Sequence, residues 1–330
     1  MIDLAIIGAG PIGLGAGIRA KRAGLDYKIF DKGCVVNAIA AYPTYMTFFT
    51  TSERLEVGNH PLITATDKPT RKEALDYYRK VVQNEGLAIQ QYTEVVGLRN
   101  LPRGFELETL GSDGVRETLR AKKVAVATGY FDNPKYLGVP GEDRANVSHY
   151  YSEAHPFYNR RVTIIGAGSS AADTALDLFK GGAKVTMIHR GEAFRHSLKY
   201  WIRPNLENRV KEGSIIAHFN TTVNEITEDA VIADKAGETI VIPTDQTFAL
   251  TGYYASTELL EQAGVTIDPA DRSAQHNEET FETNVPGLYV IGSAGYGTRT
   301  SDVFIENGLV HVEKAMNDIV SKFEAEPVEV

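Results

Sequence analysis

One device written twice constrains this chain more than anything else in it: Leu4-Ala5-Ile6-Ile7-Gly8-Ala9-Gly10 and Val162-Thr163-Ile164-Ile165-Gly166-Ala167-Gly168 are each a short apolar run entering a glycine turn. The runs are too short for helices, and the residues after the glycines are rich in Ala and Leu at helical spacing. Each copy therefore reads strand, tight turn, helix. The full motifs are Gly8-Ala9-Gly10-Pro11-Ile12-Gly13 and Gly166-Ala167-Gly168-Ser169-Ser170-Ala171. In a dinucleotide-binding unit the first glycine permits the turn and the second lets backbone approach a pyrophosphate. The third small residue brings helix against strand, and the helix N-terminus faces the negative charge. A lone motif of this kind is weak; two in the same context are not.

The ribose ends of the two copies are compared in register, because Asp31 lies 23 residues after Gly8 and His189 lies 23 after Gly166. The first copy offers Asp31, with Lys32 beside it, and a carboxylate accepts hydrogen bonds from an adenosine ribose. The second offers His189 and Arg190, with Arg195 following. A carboxylate repels a 2′-phosphate and an arginine pair holds one. The second site therefore favours NADPH over NADH, and the first suits FAD or NAD.

At 330 residues, 43% of them apolar, the chain is expected to form two domains. A net charge of -9 lacks the basic footprint that a nucleic-acid partner requires. The apolar stretch Leu4–Ile18 holds five glycines and a proline, is too short to cross a bilayer and lacks a basic leader, so neither a membrane span nor a signal peptide is expected. A single cysteine, Cys34, rules out internal structural disulfides and fits a cytoplasmic address. The eight histidines show no metal-ligand spacing, so no metal site is expected.

Between the motifs lie an aromatic loop from Tyr42 to Phe49, an expected helix over 71–84, and alternating segments at 105–110 and 115–128 that read as a small antiparallel sheet. After the second motif come alternating residues over 215–242 and a strand at 247–250. The tail reads as a strand over 287–291 and a helix from about Asp302 to Phe323, with Thr300, Ser301 and Asp302 as candidate caps. Glycine and proline cluster from Gly129 to Pro140, and the tail carries no third glycine motif. The fold class expected is α/β with two Rossmann-like domains: residues 1–129 and 253–330 form a discontinuous FAD domain, and residues 130–252 an inserted NADPH domain.

These residues resemble the low-molecular-weight thioredoxin-reductase-like flavoproteins over nearly the whole chain. Thr128 and Gly129 look like that family's domain junction, His189-Arg190 to Arg195 like its NADPH-phosphate site, and Thr283 to Gly292, followed by Ser293, like its second FAD motif. The loop from Asp31, the Tyr42–Ser52 segment and the tail Phe304-Ile305-Glu306-Asn307-Gly308 look most like bacillithiol disulfide reductases. The resemblance implies FAD held by both ends of the chain, hydride passing from NADPH to flavin, and a homo-oligomer. Thioredoxin reductases carry a CxxC where this chain has His149-Tyr150-Tyr151-Ser152, which excludes a dithiol relay. Bacillithiol disulfide reductases often have a cysteine where Ile12 stands, and many relatives an aspartate where Ser293 stands.

The chemistry is a cofactor's, so the side chains expected to matter are those that place it. Tyr42, Tyr45, Phe48 and Phe49 are candidates to flank the isoalloxazine ring, and amides around Val303 to Ile305 to stabilise charge on reduced flavin. His149 is the one histidine considered as a proton donor, and Cys34 falls toward the adenosine end, away from the reacting ring. The expected activity is reduction of a small-molecule disulfide such as bacillithiol disulfide by NADPH. The alternatives are electron transfer to a small redox carrier, ferredoxin or flavodoxin, and a nucleotide-binding redox sensor. A flavin monooxygenase is disfavoured, because Asp143 and Ala145 stand where its FxGxxxH signature needs Phe and Gly.

Overall fold

A computed structural model describes residues 1–196 and 198–325. Residue 197 of the expected inserted domain and residues 326–330 of the expected tail segment lie outside the described residues. The chain divides into two compact units: one comprises Met1–Ala40, Met46–Asn133 and Tyr253–Val330, the other Ala41–Tyr45 and Pro134–Gly252.

The first unit starts with a βαβ crossover: β1 (Ile2–Ile7), α1 (Pro11–Arg22) and β2 (Tyr27–Phe30). After α2 (Asn37–Ala40) and α3 (Arg71–Glu85) come β3 (Ile89–Gln90), β4 (Thr93–Leu101), β5 (Gly104–Gly111) and β6 (Arg116–Val126). The sheet order is β3-β2-β1-β6-β5-β4. β6 joins two kinds of sheet. Its first half pairs antiparallel with β5, through Leu107↔Leu119 and its neighbours, and its second half runs parallel to β1, through Ala5↔Val124 and Ile7↔Val126. The expected small antiparallel sheet is thus one wing of the dinucleotide-binding sheet. The burial pattern follows this change: Val124 and Ala125 are fully buried and Arg116 to Thr118 are exposed.

The second unit repeats the crossover with β7 (Val147–Ser148), β8 (Arg161–Ile165), α4 (Ser169–Lys180) and β9 (Lys184–Ile188). α5 (Arg203–Lys211), absent from the sequence reading, leads to β10 (Ile216–His218). The alternating region becomes an antiparallel sheet of β11 (Thr221–Ile226), β12 (Ala230–Lys235) and β13 (Glu238–Pro243). β14 (Gln246–Ala249) returns to the parallel sheet, whose order is β10-β9-β8-β14-β7.

The tail re-enters the first unit, through α6 (Glu258–Gln262), β15 (Leu288–Val290) and α7 (Ile305–Ala325). β15 lies parallel to β6, Leu288 opposite Val124. α7 begins three residues later than expected, and none of Thr300, Ser301 and Asp302 caps it. Instead the Asn307 side chain accepts from the Phe304 amide at 2.7 Å and donates to the Asp302 carbonyl at 2.8 Å. No helix among the described residues is long and apolar enough to cross a membrane.

α3 fixes the segment that follows the aromatic loop. The Tyr77 hydroxyl donates to the His60 carbonyl and accepts from the Val57 amide, each at 2.8 Å, and the Tyr78 hydroxyl donates to the Leu55 carbonyl at 2.9 Å. The helix starts in a capping box: Thr70 Oγ1 accepts from the Glu73 amide at 3.2 Å, and Glu73 Oε2 accepts from the Thr70 amide at 2.8 Å. Thr70→Ala is expected to lower stability by about 1 kcal/mol, read as an earlier urea midpoint for the transition of this unit.

Candidate functional site

The two glycine motifs fold alike, and for the same steric reason. Gly8 has φ +111°, and a β-carbon there would stand 2.4 Å from the Ala127 carbonyl oxygen; one at Gly13 would stand 1.8 Å from the Gly8 oxygen. Gly166 has φ +137°, and its β-carbon would meet the Leu250 oxygen at 2.3 Å. These positions are demanded by the protein's own backbone. Gly10 and Gly168 differ, because a β-carbon at either meets nothing within 4 Å. Each is the N-cap of its helix, has extended backbone and supplies no side-chain cap, and neither α1 nor α4 has an acidic residue in its first turn. Pro11 occupies the first position of α1, and Ser169 and Ser170 open α4. What is left is a pair of open cradles, each facing the positive end of a helix, that fit a pyrophosphate. Ala171, fully buried, takes the place that Gly13 has in the first copy.

The ribose-end residues sit beside these cradles on opposite electrostatic terms. The Asp31 carboxylate accepts from the Ala9 amide at 2.7 Å and the Gly33 amide at 2.8 Å, so it staples the first motif to the loop after β2. Burial pushes this carboxyl above the usual range, with the two amides pulling the other way. Its oxygens keep lone pairs for a further donor. Lys32 is drawn to Asp132, 3.3 Å away. Cys34 Sγ lies 3.6 Å from Asn37 Oδ1 in the same loop. In the second copy, burial and then the charges of Arg195 and Arg190 push His189 below its usual range, so the arginines carry the positive charge. The Arg195 amide donates to the Ala167 carbonyl inside the motif at 3.3 Å, which holds this residue against the turn.

Sequence reasoning missed Lys135. Its ammonium is pushed down by burial and by the same two arginines, Arg195 and then Arg190. No local pattern marks it, because its neighbours here come from the far side of the glycine motif.

In the first unit, Ile12 packs where the resemblance expects a thiol. A β-carbon at Gly292, φ +66°, would stand 3.1 Å from Ile12 Cγ1, and one at Gly308 would stand 2.8 Å from Ile12 Cδ1. The two glycines make room for the isoleucine. Ser293 Oγ lies 4.0 Å from the β-carbon position of Gly129, so the expected junction and the expected second flavin motif meet, with Thr128 exposed beside them. The ring of His311, on α7, is buried, with Nδ1 unpartnered among the described residues. It stacks on Phe281 at 4.0 Å, and burial lowers its pKa to about 4. At the start of α7, Phe304 packs edge-on against Phe49 at 5.3 Å and Ile305 is the first helical residue. The Phe304 amide is already taken by Asn307, which leaves fewer of the Val303 to Ile305 amides for a ligand than expected.

The aromatic-loop candidates divide between the two units. Tyr42 and Tyr45 belong to the second unit, where Tyr45 meets Tyr151 edge-on at 6.4 Å. Phe48 is buried in the first unit, with its amide donating to the Pro69 carbonyl at 2.9 Å. His149 is also held in structure: Nδ1 is 3.0 Å from the Ala249 carbonyl, Nε2 is 3.4 Å from Glu142, and Tyr136 covers the ring at 4.8 Å. Glu142 in turn accepts from the amides of Leu137 and Gly138.

Residues 5–292 match the family described as pyridine nucleotide-disulphide oxidoreductase. The chain is 42% identical to bacilliredoxin reductase Bdr of Bacillus subtilis, over 93% of this chain and 94% of that one. Among solved structures it is similar to bacillithiol disulfide reductase Bdr (YpdA) from Bacillus cereus, with TM-score 0.95, 40% identity and 97% and 99% of the two chains covered. It is also similar to the same reductase from Staphylococcus aureus, with TM-score 0.91, 37% identity and 97% and 98% covered. With its two glycine turns, doubled crossover and these matches, the chain belongs to the pyridine nucleotide-disulphide oxidoreductase family.

Proposed function

We propose that this protein is an NADPH-dependent FAD oxidoreductase that reduces a low-molecular-weight disulfide, of which bacillithiol disulfide is the first candidate. The observation that carries this reading is the pair of open cradles with opposite ribose ends, a carboxylate at Asp31 and arginines at 190 and 195, in a chain so similar to bacilliredoxin reductase. FAD is assigned to the first unit and NADPH to the second. The Gly10 cradle and the N-terminus of α1 receive the FAD pyrophosphate, Asp31 its adenosine ribose, and Gly129, Gly292 and Ser293 the chain toward the flavin. The Gly168 cradle and α4 receive the NADPH pyrophosphate, and Arg190 and Arg195 its 2′-phosphate. FAD, when bound, supplies a two-electron exchange between nicotinamide and acceptor. The overall reaction is NADPH, a proton and one disulfide giving NADP+ and two thiols.

The protein's part is binding and orientation. Its one cysteine, Cys34, cannot form a disulfide within the chain and sits in the Asp31 loop, so turnover does not pass through an enzyme dithiol. A single thiol also agrees with work in the reducing cytoplasm. Ferredoxin–NADP reductases are relatives at 24–25% identity, and a one-electron protein carrier is the competing acceptor.

The test is anaerobic stopped-flow reduction of the yellow protein by NADPH, followed by mixing with bacillithiol disulfide or, separately, with oxidised ferredoxin or flavodoxin. Rapid reoxidation by the disulfide alone is expected; reoxidation by the one-electron carriers alone overturns this acceptor assignment.

Three variants check the parts. Cys34→Ser should keep kcat with the disulfide within about twofold, as befits a thiol outside the chemistry. Replacing both Arg190 and Arg195 by alanine should raise the KM for NADPH on the order of 100-fold and barely move that for NADH, each charged hydrogen bond being worth about 1.5–3 kcal/mol. Gly308→Val drives a branched side chain into Ile12, and the purified variant should retain under about half the wild-type flavin absorbance, an overpacking cost of about 1–3 kcal/mol falling on the first cradle.

A further inference from the structure

The parallel sheet of the second unit places β8 between β9 and β14. A dinucleotide on such a sheet lies across the carboxyl end of the central strand, with its adenosine half toward one neighbour and its nicotinamide half toward the other. Arg190 and Arg195 follow β9. Beyond the carboxyl end of β14, on the other side of the glycine turn, the residue in place is Lys135.

Its position is built, not incidental. The Lys135 amide donates to the Gly252 carbonyl at 2.9 Å, and its own carbonyl accepts from the Thr251 hydroxyl. The stem lies along the chain leaving β14, with Cδ 3.9 Å from the β-carbon position of Gly252. Two residues upstream, the Leu250 carbonyl is the wall against which the Gly166 turn closes. Lys135 is half-buried and has no ion-pair partner among the described residues. The charges acting on its ammonium are those of Arg195 and Arg190, both repulsive. Lys135, Arg190 and Arg195 oppose one another's charge, and an anion bound at the Gly168 turn would relieve that opposition.

We propose, building on the assignment of NADPH to this unit, that Lys135 is a third cationic ligand of the dinucleotide and holds its pyrophosphate from the β14 side. This role differs from that of the arginines. They select for the 2′-phosphate, which only NADPH has, whereas Lys135 grips a group that NADPH and NADH share. Its contribution is to binding, not to the choice between the two coenzymes.

The experiment uses the full-length flavoprotein with ferricyanide as acceptor, so that the identity of the physiological disulfide does not enter, and measures kcat and KM for NADPH and for NADH. Lys135→Met is expected to raise KM for both coenzymes by the same factor, about tenfold, for the loss of one charge-assisted hydrogen bond, with kcat within about twofold. Lys135→Arg should restore both KM values to within about threefold of wild type, because the charge returns. Arg190→Ala should raise KM for NADPH alone. Lys135→Gln, with circular dichroism and flavin content compared with wild type, separates loss of the ligand from loss of the fold. Unchanged KM values in folded Lys135→Met or Lys135→Gln protein overturn the proposal, and so does a rise confined to NADPH, which would make Lys135 a 2′-phosphate ligand. If the wild-type protein oxidises neither coenzyme, the assignment of NADPH to this unit falls first and takes Lys135 with it. Wild-type turnover with an indifferent Lys135 sinks this inference alone.

Discussion

The closure of each glycine turn against the strand beside it is the constraint on which the rest depends. In the first unit the Gly8 amide donates to the Phe30 carbonyl and the Ala127 amide to Ile7. In the second the Gly166 amide donates to Ile188 and the Leu250 amide to Ile165. The same four-way junction is made twice, from residues far apart in the chain. It leaves no room for a β-carbon at Gly8 or Gly166 and requires both to adopt positive φ. In return, each helix N-terminus is aimed at an open space that only a ligand from outside can fill.

From that shared frame the two units diverge by charge. The first surrounds its cradle with Asp31, a half-buried carboxylate stapled to the motif by two amides. The second has Arg190, Arg195 and Lys135, and a histidine whose pKa is lowered by burial and by the arginines. The backbone geometry grips what dinucleotides have in common. On the proposed assignment, the side chains at the edges distinguish a ribose that carries a phosphate from one that does not.

Several conspicuous side chains are engaged within their own unit. In the first unit Ile12 fills the space offered by Gly292 and Gly308, and His311 stacks on Phe281; in the second, His149 is engaged by Ala249, Glu142 and Tyr136. Of these, Ile12 and His149 are the ones that the sequence reading singles out. A scaffold of this kind suits chemistry carried by a cofactor, where the protein must chiefly hold and orient.

Sequence by itself determined the two strand–turn–helix units, the equal spacing of Asp31 and His189 from their motifs, and the strand and helix of the tail. All of these rest on local conformation, on residue spacing, or on a motif repeated in order, and they need no knowledge of which distant segments meet. Tertiary structure alone decided the rest. Ala41–Tyr45 joins the second unit while Phe48 enters the core of the first, which separates aromatics only a few residues apart. α7 starts at Ile305 because Asn307 supplies the hydrogen bond expected of Asp302. Lys135 feels the charge of the arginines from the segment that leaves β14, which parallel pairing sets beside β8. Local spacing fixes what a turn or a helix can be, but which charges share a cradle is fixed by strand order, and strand order is a property of the folded sheet.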